Sequence, residues 1–383
     1  MNEKKKNSFP SIDLSTTPIA EHPSAHIYYE LILPGSSTQS HGYIHPSVVS
    51  AMPWTSDFVV SEPSERPRRV TLLDSSSGAD TAAACNAALL KQVLAAKEKG
   101  CFQALGSKKI NEHFRVMGVS YPPKNSPASP PPPPSSSMVH LPRSATALFG
   151  IANRGAHMTA YTKDPETNEI KIWVPRRSAH LRTWPGRLDN SVAGGVAAQE
   201  SPLECIIHEA EEEASLDRDM VMRQAVACGA VSYISLSGEG SGGEHGLGMS
   251  LFSASVHHSF ETYDQRNSHE VTTSNQLTIH SLNPPKVCPD VLYVYDLLLP
   301  ASVTLSPQDD EVEAFHLWTI PQVKEALFAG QFKTNCNMVI IDFFIRHGII
   351  TEDNEPNDYL EILSRLHRKL PVPTSPTRQG VVS

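Results

Sequence analysis

The chain has no long apolar run, no excess of basic charge and few cysteines. Without 18 consecutive apolar residues it contains no segment typical of a membrane-spanning helix. Its formal net charge of −9 argues against a general nucleic-acid-binding protein. The six cysteines form no Cys-x-x-Cys pair, which disfavours a zinc site or a disulfide framework and indicates reduced thiols. The basic N-terminus lacks the apolar stretch of a secretory signal, so we expect a cytoplasmic protein.

Irregular stretches divide the 383 residues into two predicted domains. Five consecutive prolines lack amide donors and therefore predict a linker or loop, with a polyproline ligand for an aromatic groove as the alternative. In chain order we predict a flexible tail (1–26), a small α+β domain (27–121), a Pro/Ser-rich linker or loop (122–138), a larger domain (139–370) with a polar insertion (237–289), and a disordered tail (371–383). Periodicity predicts helices at Thr81–Lys97, Asn337–His347 and 356–370, and strands at Val226–Leu236 and Val291–Pro300.

A loop followed by an amphipathic helix is predicted for Gly194 to Leu216, GGVAAQESPLECIIHEAEEEASL. Ser201 fits an N-cap, and Pro202 suits the first helical turn, where its missing amide hydrogen costs nothing. From Leu203 onward, apolar residues recur at spacings of 3, 4 and 7, which predicts one buried helix face.

Three glutamates of this helix, Glu209, Glu212 and Glu213, fall within an arc of about 100°. Like charges crowded there repel one another, and either the hydration of a solvated acidic face or a divalent cation would offset the repulsion. Mg²⁺ takes oxygen ligands and reaches proteins through carboxylates and substrate phosphates. Glu200 adds a fourth carboxylate in the preceding loop, and the glycine pair that opens the loop allows backbone to approach a ligand closely.

The spacing resembles the Nudix box, G-x5-E-x7-R-E-U-x-E-E-x-G-U, where U is a bulky aliphatic residue. The leading glycine, all four carboxylates and the final aliphatic residue match. His208, Ala210 and Ser215 stand where the pattern has an arginine, an aliphatic residue and a glycine. The resemblance implies an α/β fold, a Nudix α/β/α sandwich with a mixed sheet, preceded by the smaller α+β domain. It also implies hydrolysis of a diphosphate linkage with Mg²⁺, or with Mn²⁺ in its place.

The resemblance also implies roles for individual carboxylates. Glu209, Glu212 and Glu213 would bind the metal, and Glu212 and Glu209 would act in catalysis. An acidic loop before a predicted strand is similar to a second recurrent Nudix feature. Glu311 is therefore a catalytic candidate and Glu313 a further metal ligand, with a solvated acidic turn as the alternative.

Residues around the start of the box are candidates for substrate binding. The guanidinium fork matches phosphate oxygens in bidentate fashion, so the arginines clustered before the box suit a phosphorylated ligand, with an ordinary basic edge as the alternative. A tryptophan there would stack on a flat ring or belong to the core. The predicted substrate-binding residues are Arg176, Arg177, Arg182, Trp184, Gly194, Gly195 and Glu200.

Four segments beyond the generic box resemble one Nudix subgroup of fungi and plants. They are WVPRRSAHLRTWPGRLDNSVAGG leading into the box, GAVSY at Gly229–Tyr233, DVLYVYDLLLP at Asp290–Pro300 and EVEAF at Glu311–Phe315. A module of this kind is found joined to thiamine pyrophosphokinase in fission yeast. The resemblance therefore implies hydrolysis of thiamine diphosphate, or of its oxidised analogues, to the monophosphate.

Other functions remain open on the sequence. One is a catalytically weak Nudix module that acts as a ligand-binding or scaffold protein, and another is a nucleotide-diphosphate hydrolase. In each case we expect a small-molecule diphosphate as partner, with no nucleic acid and no membrane. A homodimer is compatible with the resemblance, because Nudix domains often dimerise.

Overall fold

The structure is a computed structural model of the chain. It describes residues 27–36, 38–106, 111–121, 137–181, 183–237 and 284–376. The predicted tail at 1–26, most of the predicted linker at 122–138, most of the predicted insertion and the last seven residues lie outside the described residues.

The first part of the chain folds around a four-stranded mixed sheet and one long helix. Its strands and helices are β1 (Tyr29–Ile32), β2 (Tyr43–Ile44), α1 (Pro46–Ala51), β3 (Phe58–Val60), β4 (Arg69–Leu72) and α2 (Thr81–Glu98). The strand order is β2-β1-β4-β3, and β1 and β4 run parallel. Asp80 caps α2, because its side chain accepts a hydrogen bond from the Ala83 amide at 3.1 Å.

A β-hairpin follows, made of β5 (His113–Arg115) and β6 (His140–Pro142), and then the short helix α3 (Thr146–Phe149). Leu141 and Phe149 pack in one core cluster with Leu31 and Leu89. The hairpin and the chain after it thus contribute to the first core. The predicted domain boundary at residue 139 stays a prediction.

The second part of the chain is built on a six-stranded mixed sheet. Its strands are β7 (Asn153–Lys163), β8 (Ile170–Arg177), β9 (Val192–Gly195), β10 (Val226–Ser237), β11 (Lys286–Leu298) and β12 (Val312–Thr319). The order is β10-β11-β7-β8-β12, and β9 pairs with β7. Strands β7 and β11 run parallel, whereas the other pairs are antiparallel.

Helices cover both faces of this sheet. They are α4 (Pro202–Ala214), α5 (Arg218–Gln224), α6 (Ile320–Phe328), α7 (Thr334–Arg346) and α8 (Tyr359–Leu366). Successive strand residues point to opposite faces. Trp173 of β8 accordingly packs in the cluster of α4 and α5, and Val174 packs in the cluster that contains Phe343 of α7.

This layered arrangement confirms the predicted α/β fold with a mixed sheet between helices. The predicted helix at 337–347 begins three residues earlier, at Thr334, and β11 begins at Lys286, inside the stretch assigned to the insertion. Helix α5 was not predicted. Within the described ranges, none of the helices combines the length and the apolar composition that a membrane crossing requires.

Candidate active site

Helix α4 begins at the residues that the sequence indicates. The Ser201 side chain accepts a hydrogen bond from the Glu204 amide at 3.2 Å, and the Glu204 carboxylate accepts one from the Ser201 amide at 2.8 Å. This capping box satisfies two amide donors of the first turn. Pro202 takes the first helical position, where no amide hydrogen is needed. Local interactions therefore fix the start of the helix.

The apolar face of α4 fixes its rotation on the sheet. Ile206, Ala210 and Ala214 are fully buried in one cluster with Ala156 and Met158 of β7. Since the helix also packs against β9, the flank beside this apolar face is turned toward that strand. Glu209 and Glu213 lie on this flank, against Gly194 and Ala193.

The glycine that opens the box makes room for one of these glutamates. A Cβ atom added to Gly194 would lie 2.1 Å from Oε1 of Glu209, far closer than real contacts allow. Glu209 is half-buried in this position, whereas Glu212, one turn further along, is exposed. Any side chain at position 194 would therefore displace the Glu209 carboxylate from this position.

Glu213 is the buried carboxylate of the box, with 8% of its surface exposed. It accepts a hydrogen bond from the Ala193 amide at 3.3 Å. Burial raises the pKa of Glu213 well above its ordinary value, and the negative charges of Glu209 and Asp189 raise it further. A divalent cation bound by Glu209 and Glu213 would offset both the burial of Glu213 and the repulsion between the two carboxylates. The residues present therefore fit Mg²⁺ or Mn²⁺.

The loop carboxylate Glu200 contacts the helix through the residue that replaces the arginine of the box. Its Oε1 lies 2.7 Å from Nδ1 of His208, and its Oε2 accepts a hydrogen bond from the Ala197 amide at 3.2 Å. His208 thus holds Glu200 at the start of the box. A histidine lacks the bidentate fork of an arginine, so this brace rests on a single ring nitrogen.

The third departure from the box pattern, Ser215, ends α4 in the left-handed conformation, with φ of 54°. Glycine adopts this conformation without strain, and a residue with a Cβ pays about 1 kcal/mol. The Ser215 hydroxyl lies 3.0 Å from the Ser306 carbonyl oxygen and 3.0 Å from Oε1 of Gln308. These contacts partly offset the strain and tie the end of the helix to the segment before β12.

The structure gives two of the predicted phosphate-binding arginines partners within the protein. Arg177 donates to Asp189 at 3.0 Å, and Arg176 donates to the Gly186 carbonyl oxygen at 2.9 Å. Trp184 is half-buried in the same loop, and Arg182 lies outside the described residues. Arg176 and Arg177 therefore shape the loop before the box, and their role toward a substrate stays a prediction.

Asp189 is the centre of a buried polar cluster that the sequence did not single out. Lys333 Nζ lies 3.3 Å from its Oδ2, beside Arg177, and the Cys336 thiol donates to its Oδ1 at 2.7 Å. Burial alone would raise the pKa of Asp189, but the positive charges of Lys333 and Arg177 lower it to about 2. The LDN run before the box pointed to this region, but its partners come from the far end of the chain.

His157 completes the cluster from β7. Its Nδ1 lies 2.7 Å from Oδ1 of Asn190, which makes Nδ1 the donor. His157, Asp189 and Cys336 each place one possible ligand atom within 4.8 Å of the others. A dication there would add to the two positive charges that already balance Asp189, so we interpret the cluster as structural. Within the described ranges, the box carboxylates are not gathered this closely. A metal site at the box therefore rests on the motif, on the burial of Glu213 and on the closeness of Glu209 to Glu213.

The acidic loop before β12 joins the sheet at a different strand from the box. The Glu311 carbonyl oxygen accepts a hydrogen bond from the Ser178 amide at 2.9 Å, and Glu313 is exposed on β12. β12 pairs with β8, whereas the box helix packs on β7 and β9. The roles of Glu311 and Glu313 as base and metal ligand stay predictions.

Comparisons with known proteins give sequence relatives of this chain. The chain is 35% identical over 232 residues to an uncharacterized protein of Saccharomyces cerevisiae, and the match covers 61% of this chain and 57% of that protein. It is 32% identical over 230 residues to Nudix hydrolase 20, chloroplastic, of Arabidopsis thaliana, covering 60% of this chain and 48% of that one. The chain thus spans about half the length of the curated relatives it matches. No family model matches the chain.

Among solved structures, the chain is similar to an Ap4A hydrolase of C. elegans, with 11% identity and a TM-score of 0.29 over 52% of this chain and 99% of that one. A similarity of this size carries no argument about function. The spacing of the box, the fit of Glu209 against Gly194 and the mixed α/β fold are independent observations on the chain itself. Together with the similarity to the plant Nudix hydrolase, they make the chain similar to Nudix hydrolases in box spacing and in fold.

Proposed function

We propose that this chain is a Mg²⁺-dependent hydrolase of a diphosphate linkage, with Mn²⁺ as the alternative ion. The observation that carries the proposal is the buried carboxylate of Glu213, whose pKa is raised by burial and by Glu209 on the same helix flank. Crowded buried acids destabilise a fold, and such groups cluster at functional sites. A bound cation would neutralise these carboxylates and could bind a phosphorylated ligand at the same time.

The residues divide the reaction between them. Glu209 and Glu213 hold the cation, which when bound neutralises charge on the phosphoryl oxygens and makes a nearby water more acidic. Glu212, exposed on the same flank, takes the proton of the attacking water, with Glu311 as the alternative base. The water oxygen bonds to phosphorus, the bridging P–O bond breaks, and the leaving oxygen departs with the monophosphate. Glu200, braced by His208, positions the loop.

Thiamine diphosphate or an oxidised analogue is the substrate class we favour, with the monophosphate as product. Support comes from the four segments that resemble the Nudix module joined to thiamine pyrophosphokinase. The half-buried Trp184 also offers a ring face that attracts a cationic heterocycle. A nucleotide diphosphate is the second candidate, because the box carboxylates act on the diphosphate and do not select the group attached to it.

The proposal also places the protein in the cytoplasm. None of the six cysteines forms a disulfide, as expected for thiols in a reducing compartment. The Arabidopsis relative is named as chloroplastic, and that location belongs to that protein. A small-molecule diphosphate is the proposed partner, and a homodimer is compatible with the proposal.

Product analysis by chromatography tests the proposal. The protein is incubated with Mg²⁺ and thiamine diphosphate, oxythiamine diphosphate, NADH, ADP-ribose or a nucleotide sugar. We expect monophosphate release from the thiamine compounds and a loss of at least about 100-fold in kcat for Glu212→Gln. Glu211→Gln is the matched control, because Glu211 is exposed on the same helix but pairs with Arg218 at 2.8 Å.

Each alternative predicts a different result. Release from a nucleotide alone would retain the hydrolase and change the substrate. A catalytically weak module is favoured by the single-nitrogen brace at His208. It would release no product, yet its melting temperature would rise with ligand. A scaffold would show neither response, and its partner binding would depend on residues 126–137.

A further inference from the structure

The N-terminal hairpin β5–β6 touches the loop that opens the Nudix box. The Ala198 amide donates to the His113 carbonyl oxygen at 2.8 Å, so strand β5 is hydrogen-bonded to that loop. Arg154, at the start of β7, donates to the Ala197 carbonyl oxygen at 3.0 Å. Two successive residues of the loop are thus held by backbone and guanidinium groups outside the box.

Arg143, the residue that directly follows the hairpin, lies against the second glycine of the box. A Cβ atom on Gly195 would lie 3.0 Å from Cζ of Arg143 and 2.7 Å from Cζ of Phe114. The Arg143 guanidinium stands over the Phe114 ring, 5.2 Å from its centroid, and pairs with Glu112 at 2.8 Å. The ring and the acid hold the guanidinium in one position, and Glu112 occupies only some of its five N–H donors.

Arg143 and a predicted metal ligand lie on either side of the same two residues. Gly194 makes room for the Glu209 carboxylate, and Gly195 makes room for Arg143. Consecutive Cα atoms are about 3.8 Å apart, and their side-chain positions point to opposite faces of a strand. Glu209 and Arg143 therefore lie on opposite faces of β9 and are separated by little more than its backbone. A phosphorylated ligand that passes the edge of β9 can span this distance.

We propose that the N-terminal hairpin forms part of the substrate site, with Arg143 donating to oxygens of the phosphoryl group that faces away from the box carboxylates. The inference rests on the proposed function and deepens it, since it names the residue that holds the diphosphate. Arg177, the arginine expected from the sequence for such a role, is already paired with buried Asp189. Arg143 has side-chain exposure of 37% and can reach a ligand.

The test compares Arg143→Gln with Arg69→Gln, a matched control from the same part of the chain. Arg69 pairs with Glu30 at 3.2 Å with side-chain exposure of 38%, close to the Arg143–Glu112 pair. Binding of inorganic diphosphate with Mg²⁺ is measured by calorimetry in a Glu212→Gln background, so that turnover does not consume the ligand. We expect Arg143→Gln to weaken binding about 10- to 100-fold and Arg69→Gln to leave it unchanged.

Kinetics and a second variant separate this inference from its alternatives. With Glu212 intact, Arg143→Gln should raise KM about tenfold or more while kcat changes much less, and Arg143→Lys should restore part of the affinity. Unchanged diphosphate affinity and KM in folded Arg143→Gln protein would overturn the inference and leave the proposed hydrolase standing. Loss of diphosphate binding in a chain that hydrolyses nothing would support the binding site and overturn the proposed activity. If Arg143→Gln does not fold, Arg143→Lys decides. Lysine keeps the charge but lacks the guanidinium fork, so reduced diphosphate affinity in Arg143→Lys would support the inference and wild-type affinity would overturn it.

Discussion

Glu213 and Asp189 are both buried carboxylates beside β9, with 8% and 5% of their surfaces exposed, but their neighbours differ in sign. Glu213 faces the acidic Glu209, and its pKa is raised well above the ordinary value. Asp189 is held by Arg177 and Lys333, and its pKa is lowered to about 2. The compensated carboxylate stabilises the fold, whereas the crowded one is available for a cation.

Asp189 and Glu213 therefore have different roles. The Asp189 cluster connects the loop before the box to the start of α7, and so it holds β9 in place. Glu213 then uses that fixed strand, because its carboxylate accepts from the Ala193 amide. Removing the first should therefore damage stability, and removing the second should damage function while sparing or improving stability.

The largest expected change follows from Asp189→Asn. Removing one partner of a buried ion pair leaves Arg177 and Lys333 uncompensated, which costs about 3–5 kcal/mol of unfolding free energy. Urea denaturation measures this. Asp57→Asn is the control, since Asp57 pairs with exposed Lys91 at the surface and should cost below about 1 kcal/mol. A loss for Asp189→Asn no greater than for the control would remove the structural role of the cluster.

Acid should weaken the fold through His157. Burial lowers the pKa of His157 to about 4 from an ordinary 6.5, so the unfolded chain takes up a proton first as pH falls. The contribution of His157 is complete above pH 6.5 and is lost as pH falls toward 4, by up to about 3 kcal/mol. His45 carries a similar shift caused by burial.

Denaturation between pH 7 and 4 therefore separates the two histidines. His157→Gln and His45→Gln should each flatten the dependence of unfolding free energy on pH by a comparable amount. The Asp189 carboxylate adds little slope above about pH 5, because its contribution is lost as pH falls from about 5 toward its folded pKa near 2. A full slope in the His157→Gln protein would mean that this imidazole is not buried as described.

The smallest expected change in stability comes from Glu213→Gln, and it has the opposite sign. Without metal, replacing a buried carboxylate of raised pKa should increase unfolding free energy by about 1–2 kcal/mol near pH 7. The rise in melting temperature on adding Mg²⁺ should disappear in this variant and persist in Glu211→Gln. An undiminished Mg²⁺ response would exclude Glu213 as a ligand.

Local signals in the sequence predict the box helix well, whereas contacts between residues far apart in the chain cannot be predicted from them. Ser201 and Pro202 fix the start of α4 through contacts within four residues. Lys333 and Cys336 reach Asp189 across 144 and 147 positions of the chain, so no spacing rule connects them. Arg143 meets Gly195 through the same kind of distant contact. The fold class followed from the resemblance to the Nudix box and the box carboxylates from the motif, whereas the supporting cluster and the hairpin required the folded chain.

The start of strand β11 also differs from the sequence prediction, because a proline lies within the strand. Pro289 lies inside β11, opposite Ile234 of β10, although proline lacks the amide hydrogen that a strand ladder uses. The apolar run VLYVYDLLLP predicts a start at Val291, five residues after the observed start at Lys286. Helix α5 shows the converse, because Asp217 caps it through the Met220 amide at 2.8 Å, a signal contained within four residues of sequence.

The fit of Glu209 against Gly194 has a consequence for variation at this site. Gly194 has no functional group and is only half-buried, so a survey based on chemistry or exposure would rank it as a permissive position. Any side chain there competes for the space of a carboxylate 2.1 Å away. In a library of all single substitutions, position 194 should tolerate as little change as the glutamates themselves, and inherited variants at this glycine should behave as loss-of-function alleles.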